Sequence, residues 1–391
     1  MKQPVEWTPE WQTTFGDLCA SRWGFRYKFD DNFSLREVVE RAYQASDARS
    51  LESFAELLGT LPDSDPEVQA FIGQMVVGET SFFRNKPQFD ALQTTILPEL
   101  FESRHADGTR KIRIWSAGCA SGEEPYSIAI LIATMLPDWQ KWDIRIFATD
   151  INPFALRRAQ DAIYSDWSFR EAGPEGSDAF FMRVSSLRKL EHPCKSMVQF
   201  RRQNLATDPI PDEINGLADL DVIFCRNVTI YFGRDLTAVL ASKLFEALKP
   251  GGWLVVGHTE PDSAIYRQFE CVDFPDTVIY RRPGAERPAP RRDSTDTQTP
   301  DTPGPRIPLP ADPVSQSNDP PVAEPEVPAI ETALFLYELH DFRAAYEVLA
   351  RRATACPTDV IAPHMLAQVS ADEKRYDEAL YWGFTALQRD A

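Results

Sequence analysis

The chain has 391 residues, 43% of them hydrophobic, and a formal net charge of −18 at pH 7. Its length and apolar content allow two or three domains with their own cores, and its acidity excludes a general nucleic-acid binder, which would carry a basic surface. The six cysteines are scattered without paired spacing, which argues against a disulfide framework or a metal site such as zinc. The chain also lacks a signal-peptide pattern and an apolar run long enough to span a membrane. We therefore expect a cytoplasmic protein that does not insert directly into a membrane.

Residues 1–92 form the first predicted domain. The stretches 36-REVVERAYQ-44 and 51-LESFAELLGTL-61 carry apolar residues three and four positions apart, which is typical of amphipathic helices. The run 62-PDSDP-66 breaks the pattern between helices. The sequence therefore predicts a small all-α domain at this end of the chain.

A different pattern follows, in which short β-like runs alternate with helical segments. The runs 111-KIRIWSAG-118, 143-DIRIFATD-150 and 220-LDVIFCRN-227 each precede a helical stretch. Strands that alternate with helices predict a parallel sheet with crossover helices. We therefore expect residues 93–282 to form an α/β, Rossmann-like domain.

The segment at about residues 165–205 interrupts this alternation, so we interpret it as an insertion. It is locally basic, because residues 181–204 hold six Arg or Lys side chains against Glu191 alone. After the insertion the alternation resumes, and the run 272-VDFPDTVIYRR-282 predicts a terminal hairpin that joins the main sheet.

The C-terminal part has two compositions. Residues 283–328 hold 13 of the 31 prolines and almost no large apolar residues, which predicts a disordered linker. Residues 329–391 are helical in pattern and contain a repeat, since Phe342 and Tyr376 occupy matching positions 34 residues apart. That period is typical of tetratricopeptide (TPR) repeats, with a plain helical hairpin as the alternative. We expect this tail to bind a further protein partner.

The loop 115-WSAGCASGEEPYS-127 follows the first predicted strand, where a nucleotide-binding fold has its glycine-rich turn. It has only two glycines, and Glu123 and Glu124 place negative charge where a pyrophosphate would be repelled. S-adenosylmethionine carries positive charge at its sulfonium and its amine, so it fits this loop better than NAD or ATP. Asp150, at the end of the second strand, suits a ribose diol.

Five motifs resemble those of the CheR family of chemotaxis receptor methyltransferases in order and spacing. They are 78-GETSFFRNKPQF-89, 115-WSAGCASGEEPYS-127, 147-FATDIN-152, 203-QNL-205 and 222-VIFCRNVTIYF-232. The resemblance covers about residues 12–282. It implies a helical N-terminal domain and an S-adenosylmethionine-binding α/β domain with a small inserted β-subdomain. It also implies methyl transfer to glutamate side chains of methyl-accepting chemotaxis receptors, for sensory adaptation and without a metal.

The resemblance also implies site residues. Arg84 and Tyr231 would be catalytic, with Arg84 holding the acceptor carboxylate and Tyr231 facing the reactive methyl group. Glu124 is favoured over Glu123 as the partner of the methionyl amine, although which of the two points inward stays open. The implied cofactor-binding residues are Gly78, Thr80, Arg84, Ala117, Gly118, Glu124, Asp150, Asn204, Leu205, Arg226 and Asn227.

Gly78 is a departure from the family, because many members have Asn at that position and Gly offers no side-chain donor. The expected receptor-binding residues lie in the basic insertion; they are Arg183, Arg188, Lys189, Arg201 and Arg202. We expect these charges to steer an acidic receptor helix toward an otherwise acidic protein. The acceptor glutamate is already ionised at pH 7, so an in-line attack that releases S-adenosylhomocysteine needs no general base.

Two alternatives remain for the function. The chain can be a methyltransferase of the same fold that acts on another acceptor, or a catalytically silent scaffold that works through its TPR repeats. The motif residues that argue against a silent scaffold are Thr80, Arg84, Asp150, Asn227 and Tyr231.

Overall fold

The computed structural model describes residues 6–26, 35–76, 78–171, 173–174, 176–184, 187–284, 342–355, 363, 365–366, 369–370 and 382. The chain divides into two compact units, Met1–Ala285 and Glu286–Ala391. The predicted linker, apart from residues 283 and 284, and most of the predicted repeat tail lie outside the described residues.

The first unit begins with four helices whose apolar faces share one core. They are α1 (Pro9–Trp23), α2 (Leu35–Ala45), α3 (Leu51–Thr60) and α4 (Pro66–Met75). Side-chain caps fix three of the starts, since Thr8, Ser50 and Asp65 each accept a hydrogen bond from a backbone N–H in the first turn. Phe54 and Phe71 are fully buried in the shared core. The predicted N-terminal helical region is thus confirmed.

A continuous helical segment leads from this region into the sheet. It consists of α5 (Lys86–Ala91), a π-helical turn (Leu92–Ile96) and α6 (Leu97–Ala106). Its buried side chains, such as Phe89, pack in the core of the sheet that follows. The change from one core to the other therefore lies before α5, whereas the sequence pattern placed a boundary after residue 92, inside this segment.

The described residues of the first unit contain ten strands. They are β1 (Lys111–Ala117), β2 (Asp143–Asp150), β3 (Ile163–Tyr164), β4 (Phe181–Val184), β5 (Leu187–Leu190), β6 (Val198–Arg202), β7 (Leu220–Cys225), β8 (Leu248–Val256), β9 (Glu270–Phe274) and β10 (Thr277–Arg281). Seven of them form the main sheet in the order β6-β2-β1-β7-β8-β10-β9. Neighbours from β6 to β8 are parallel, and β9 and β10 form an antiparallel hairpin against β8.

Helices cross between the parallel strands, as the alternating pattern predicted. They are α7 (Glu123–Met135), α8 (Pro153–Asp161) and α9 (Arg234–Ala247). Strand β1 lies between β2 and β7, so the strand order reverses there. Such a reversal opens a crevice at the carboxyl ends of the strands. The α/β fold with a mostly parallel sheet is confirmed.

The remaining strands form a separate antiparallel sheet in the order β3-β5-β4. The insertion predicted at 165–205 extends too far toward the C-terminus. Strand β6, which lies within that range, pairs in parallel with β2 and belongs to the main sheet. Val198 and Phe200, on alternate positions of β6, pack against the main core, which explains the pairing. Arg201 and Arg202 consequently lie in the main sheet.

In the second unit, α10 (Phe342–Ala355) covers the first of the two predicted repeat windows. Its Leu349 packs with Leu366 and Val369, and Trp382 Nε1 donates to the Tyr346 hydroxyl at 3.1 Å. The second window, 375–383, lies outside the described residues apart from Trp382. In the described part of the chain, none of the helices is long and apolar enough to cross a membrane.

Candidate functional site

The carboxyl ends of β1, β2, β6 and β7 open into a crevice that the N-terminal helical region helps to wall. Trp23, Phe25 and Val76 from that region line it together with the loops of the sheet. Every residue that the sequence predicted to bind the cofactor also lines it, except Ala117, and so does Tyr231. Ala117 is buried in β1, behind the wall. The helical region and the α/β sheet therefore build one site together.

The turn after β1 needs both of its glycines. Gly118 has φ +78°, and a Cβ there would lie 2.3 Å from Cγ2 of Val228. Its N–H donates to the carbonyl oxygen of Thr149 at 2.7 Å, which fixes the turn to the end of β2. Gly122 has φ +94° at the start of α7, where a Cβ would lie 2.8 Å from the Cβ of Ala159. Only glycine fits these two positions, so the glycines serve the chain path as well as the crevice.

Glu123 points away from the crevice. It is 3% exposed, and its carboxylate accepts hydrogen bonds from the hydroxyls of Ser121 at 2.7 Å and Ser168 at 2.9 Å. Burial raises the pKa of Glu123 above its usual value, while these hydroxyls oppose the shift. The first acid of the pair therefore ties α7 to the segment around Ser168.

Glu124 faces the crevice, which settles the direction that the sequence left open. Its carboxylate accepts from the Ser116 hydroxyl at 2.7 Å and from Nη1 of Arg226 at 3.0 Å. Burial lowers the pKa of the Arg226 guanidinium, and the charge of Glu124 opposes that shift. Nη2 of Arg226 donates to the carbonyl oxygen of Arg84 at 2.6 Å. The acid in the crevice is thus linked through Arg226 to the turn that carries Arg84.

Asp150 closes β2 at the floor of the crevice. One oxygen accepts the backbone N–H of Ala120 and the other that of Asn152, both at 2.8 Å. Burial raises the pKa of Asp150, and these hydrogen bonds oppose the shift. A carboxylate has about four acceptor positions, so Asp150 still has acceptor capacity for hydroxyl groups in the crevice.

Arg84 stands in a strained turn between two residues with positive φ, Phe83 at 55° and Asn85 at 67°. Such backbone angles in non-glycine residues persist only where the surroundings hold them. Here the N–H of Phe83 donates to the Ser127 hydroxyl at 2.9 Å, and that of Asn85 donates to Oε2 of Glu171 at 2.7 Å. The backbone of Arg84 is therefore fixed before any ligand binds.

Tyr231 lies at the end of a short 3₁₀ turn (Thr229–Tyr231) and packs against the helical region. Its ring is 5.9 Å from that of Phe25, and its carbonyl oxygen accepts the Arg26 N–H at 2.8 Å. Burial raises the pKa of the Tyr231 hydroxyl, and the nearby charge of Arg84 opposes the shift. The two side chains predicted to be catalytic therefore both line the crevice, and the charge of Arg84 acts on the Tyr231 hydroxyl.

Asn204 and Gln203 lie side by side after β6, and both line the crevice. The Asn204 amide is engaged, since Nδ2 donates to the carbonyl oxygen of Arg22 at 2.8 Å and Oδ1 accepts the Ala206 N–H at 3.0 Å. Gln203 is 4% exposed, and its Nε2 has no hydrogen-bond partner in the described protein. The sequence patterns did not single out Gln203, although its motif position beside Asn204 was a usable signal.

The basic residues of the insertion are paired with acids. Arg183, Arg188 and Lys189 lie on the hairpin of β4 and β5, and none of them lines the crevice. Their pairs are Arg183–Asp166 (3.6 Å), Arg188–Asp166 (2.9 Å), Arg188–Asp178 (2.8 Å) and Lys189–Glu191. Two of these acids lie before residue 181, outside the stretch over which the charges were counted. The predicted basic surface is therefore largely neutralised.

Arg201 and Arg202 are likewise apart from both the hairpin and the crevice. Nη2 of Arg202 donates to Asp63, whose other oxygen accepts from Arg22. Nη1 of Arg201 donates to the carbonyl oxygen of Asn215 at 3.1 Å. Arg202 thus joins the main sheet to the helical region. Across the described residues, no group of three or more His, Cys, Asp or Glu side chains is placed to hold a metal ion.

Comparisons with known proteins agree on one family. Residues 78–278 match CheR methyltransferase, SAM binding domain. Chemotaxis protein methyltransferase 2 of Vibrio cholerae is 33% identical over 273 residues, 68% of this chain and 93% of that protein. Chemotaxis protein methyltransferase of Borreliella burgdorferi is 32% identical over 222 residues, 54% of this chain and 75% of that protein. Chemotaxis protein methyltransferase 1 of Pseudomonas aeruginosa is 30% identical over 251 residues, 62% and 88% of the two chains.

Proposed function

Since the chain belongs to the CheR methyltransferase family, we propose that it transfers the methyl group of S-adenosylmethionine to glutamate side chains of methyl-accepting chemotaxis receptors, for sensory adaptation. The observation that carries the proposal is the crevice at the strand-order reversal, because most of the residues that line it lie within the matched range. As a member of this family, the chain is an S-adenosylmethionine-dependent methyltransferase.

The residues of the crevice fit this cofactor. The carboxylate of Glu124 faces inward and suits the cationic amine, while Asp150 keeps acceptor capacity for ribose hydroxyls. Gln203 offers a buried amide donor without a protein partner, and a buried donor of this kind favours a polar ligand atom. Phe25 and Leu205 supply an apolar wall for an adenine ring. When bound, the cofactor supplies a methyl group activated by the positive sulfur.

Arg84 and Tyr231 are proposed to orient the acceptor. A guanidinium can hold a carboxylate through two hydrogen bonds, which fixes the direction of the attacking oxygen. The backbone of Arg84 is already held by Ser127, Glu171 and Arg226, so the backbone needs no reorganisation for this role. Nη1 of the side chain donates to the carbonyl oxygen of Glu79 at 2.6 Å. No histidine occurs among the described residues that line the crevice, which agrees with an acceptor that arrives ionised.

The receptor is proposed to dock on the sheet β3-β5-β4, with Arg183, Arg188 and Lys189 as contacts. Because acids balance these charges, specific hydrogen bonds rather than a net field would select the receptor. We place the protein in the cytoplasm, beside the receptor signalling region. The tail is proposed to be a TPR-like module for a further protein partner, supported by the 34-residue period in the sequence.

Transfer of a radiolabelled methyl group tests the function directly. Full-length protein, labelled S-adenosylmethionine and receptor signalling fragments should give a base-labile label, as a methyl ester does. Fragments with the acceptor glutamates replaced by Gln should stay unlabelled. We expect Arg84→Ala to lose transfer while calorimetry still detects S-adenosylhomocysteine binding.

The alternatives give different results in the same assay. Cofactor binding without receptor labelling would point to another acceptor. Failure to bind S-adenosylhomocysteine at all would point to a silent scaffold and overturn the proposal.

A further inference from the structure

Glu260 is a buried carboxylate that does not line the crevice. It accepts hydrogen bonds from the turn at residues 227–230, which does line it. It follows β8 in 257-GHTE-260 and is 8% exposed. The donors to Oε1 are the N–H groups of Val228 (3.0 Å), Thr229 (2.8 Å) and Ile230 (3.3 Å) and the Thr229 hydroxyl (2.7 Å). The donors to Oε2 are the N–H groups of Asn227 (2.7 Å) and Gly257 (2.6 Å).

These donors form a concave backbone arrangement with the carboxylate inside it. Asn227 has φ +56°, and the N–H groups of the four residues from Asn227 to Ile230 point to the same place. Successive N–H groups that converge in this way form an anion-binding nest. Without an anion, several of these donors would be left without a partner in or near the interior, which is costly. Glu260 therefore specifies the conformation of this turn.

The end of β8 is shaped to bring the carboxylate to the turn. A Cβ at Gly257 would lie 2.5 Å from Oε2 of Glu260 and 2.9 Å from the backbone nitrogen of Asn227. A glycine at this position lets β8 and the turn after β7 approach each other closely. The contact spans more than thirty positions of sequence, since Asn227 and Glu260 are separated by 33 residues.

The same turn carries groups of the proposed site. Asn227, Val228, Ile230 and Tyr231 all line the crevice. We infer that Glu260 is a positioning residue for methyl transfer, because its carboxylate sets the 227–230 backbone that presents Asn227 to the cofactor and Tyr231 to the acceptor. The inference deepens the proposed function and rests on it for its turnover measurement.

Glu260→Gln distinguishes the hydrogen bonds made by one carboxylate oxygen from those made by the other. The amide keeps one oxygen and replaces the other with an NH₂ group, which repels N–H donors. The less costly orientation leaves the oxygen with the four donors of the Thr229 side and turns the NH₂ toward Asn227 and Gly257. The substitution should therefore loosen the cofactor side of the turn first.

Asp221→Asn is the matched control. Asp221 is also a buried carboxylate, at 1% exposure, and it accepts from the Arg113 N–H and from the side chains of Arg104 and Lys249. It lies at the start of β7, at the opposite end of the strand from the crevice. Its loss should lower stability without changing the site.

The experiment measures binding of S-adenosylhomocysteine by calorimetry, receptor methylation kinetics and thermal stability in full-length proteins. We expect Glu260→Gln to raise the Kd by about tenfold or more, because the N–H groups of Asn227 and Gly257 lose their acceptor, and to lower kcat. Asp221→Asn should keep the wild-type Kd and kcat while its melting temperature falls. Equal Kd and kcat in Glu260→Gln and the wild type would overturn the inference, whatever the change in stability.

Thr229→Val keeps the inference testable if Glu260→Gln does not fold. This variant removes the hydroxyl that donates to the Glu260 carboxylate on the Tyr231 side, together with its hydrogen bond to Tyr266. We expect kcat to fall while the affinity for S-adenosylhomocysteine is retained, and an unchanged kcat would overturn the inference. Wild-type protein is assayed in parallel. If it binds S-adenosylhomocysteine but does not label the receptor, the proposed function has failed, and the inference about Glu260 is a separate question.

Discussion

Glu123 and Glu124 are adjacent in sequence and have opposite environments. Successive residues of an α-helix point about 100° apart, so one acid can face the crevice while its neighbour is buried behind it. The sequence shows that two acids follow the glycine turn, and this was enough to predict a cationic ligand. The choice between them depends on Ser121, Ser168 and Arg226, of which two are distant along the chain. Local pattern therefore left it open.

Substitution by Gln distinguishes the two acids. Glu124→Gln removes the charge that faces the ligand and leaves Arg226 without its ion-pair partner. We expect it to weaken S-adenosylhomocysteine binding by about tenfold or more in calorimetry. Glu123→Gln is the control and should keep wild-type affinity, because its partners are two hydroxyls that can reverse their hydrogen bonds. Equal losses in the two variants would contradict this assignment.

The pH dependence of stability reports on Glu123 separately. Burial raises the pKa of Glu123, so the folded state binds this proton more tightly than the unfolded state does. The ionised carboxyl therefore opposes folding above its raised pKa, and this opposition is lost as the pH falls through that value. The usual pKa of a Glu carboxyl is 4.5. In urea titrations at several pH values above 4.5, the unfolding free energy of Glu123→Gln should therefore fall less with rising pH than that of the wild type. An unchanged slope would argue that Glu123 has no such role.

Glu260 shows what sequence patterns miss at the residue scale. Most of the predicted crevice residues lie in motifs that follow strands, and a parallel sheet brings the ends of its strands together. Glu260 is a single acid after β8, and the residues that donate to it from the turn after β7 lie 30 to 33 positions earlier in the chain. Only the pairing of β7 with β8 brings them together. Asp166 and Asp178 were likewise left out of the local count of charge around Arg188, because they lie earlier in the chain.

At the scale of elements, the parallel sheet and its crossover helices were predictable because each leaves a periodic pattern of apolar residues. Strand β6 was not assigned to the main sheet, since it follows the small antiparallel sheet and is rich in basic residues. Its outward positions contact the helical region, where Arg202 and Arg22 meet Asp63. The basic character of β6 therefore reflects a contact between elements.

Arg202→Ala tests that contact. We expect a loss of about 1 kcal/mol in unfolding free energy, typical of a single partly exposed ion pair, with no change in the receptor KM. Arg183→Ala is the counterpart on the hairpin, where the side chain is 61% exposed, and it should change the receptor KM without lowering stability. Urea unfolding and methylation kinetics measure the two effects. A receptor KM altered by Arg202→Ala alone would place the receptor on β6 instead.

At the scale of the whole molecule, the two compact units have different proposed functions: the first binds the cofactor and the second binds a further protein partner. The described residues that line the crevice run from Trp23 to Phe232, within the first unit. The first unit also has its own buried clusters in the helical region and on both faces of the sheet. The composition of residues 283–328 favours such a division, because a proline-rich segment with almost no large apolar residues cannot form a core.

Removal of the second unit tests this division. A protein that ends at Ala285 should bind S-adenosylhomocysteine with the affinity of the full chain, because it keeps every described residue that lines the crevice. Calorimetry on the two proteins measures this. Weaker binding by the shorter protein, with its melting transition intact, would show that the second unit contributes to the site.

The hairpin of β4 and β5 carries its charged residues away from the crevice. It is anchored to the rest of the protein by β3, which pairs with β5, and by Phe181, whose ring packs against those of Phe82 and Phe169. Arg183, Arg188 and Lys189 do not line the crevice. The proposed choice of receptor can therefore change on the surface of the hairpin while the lining of the crevice is inherited unchanged. Chimeras between relatives can exchange these surface residues and keep the buried anchor.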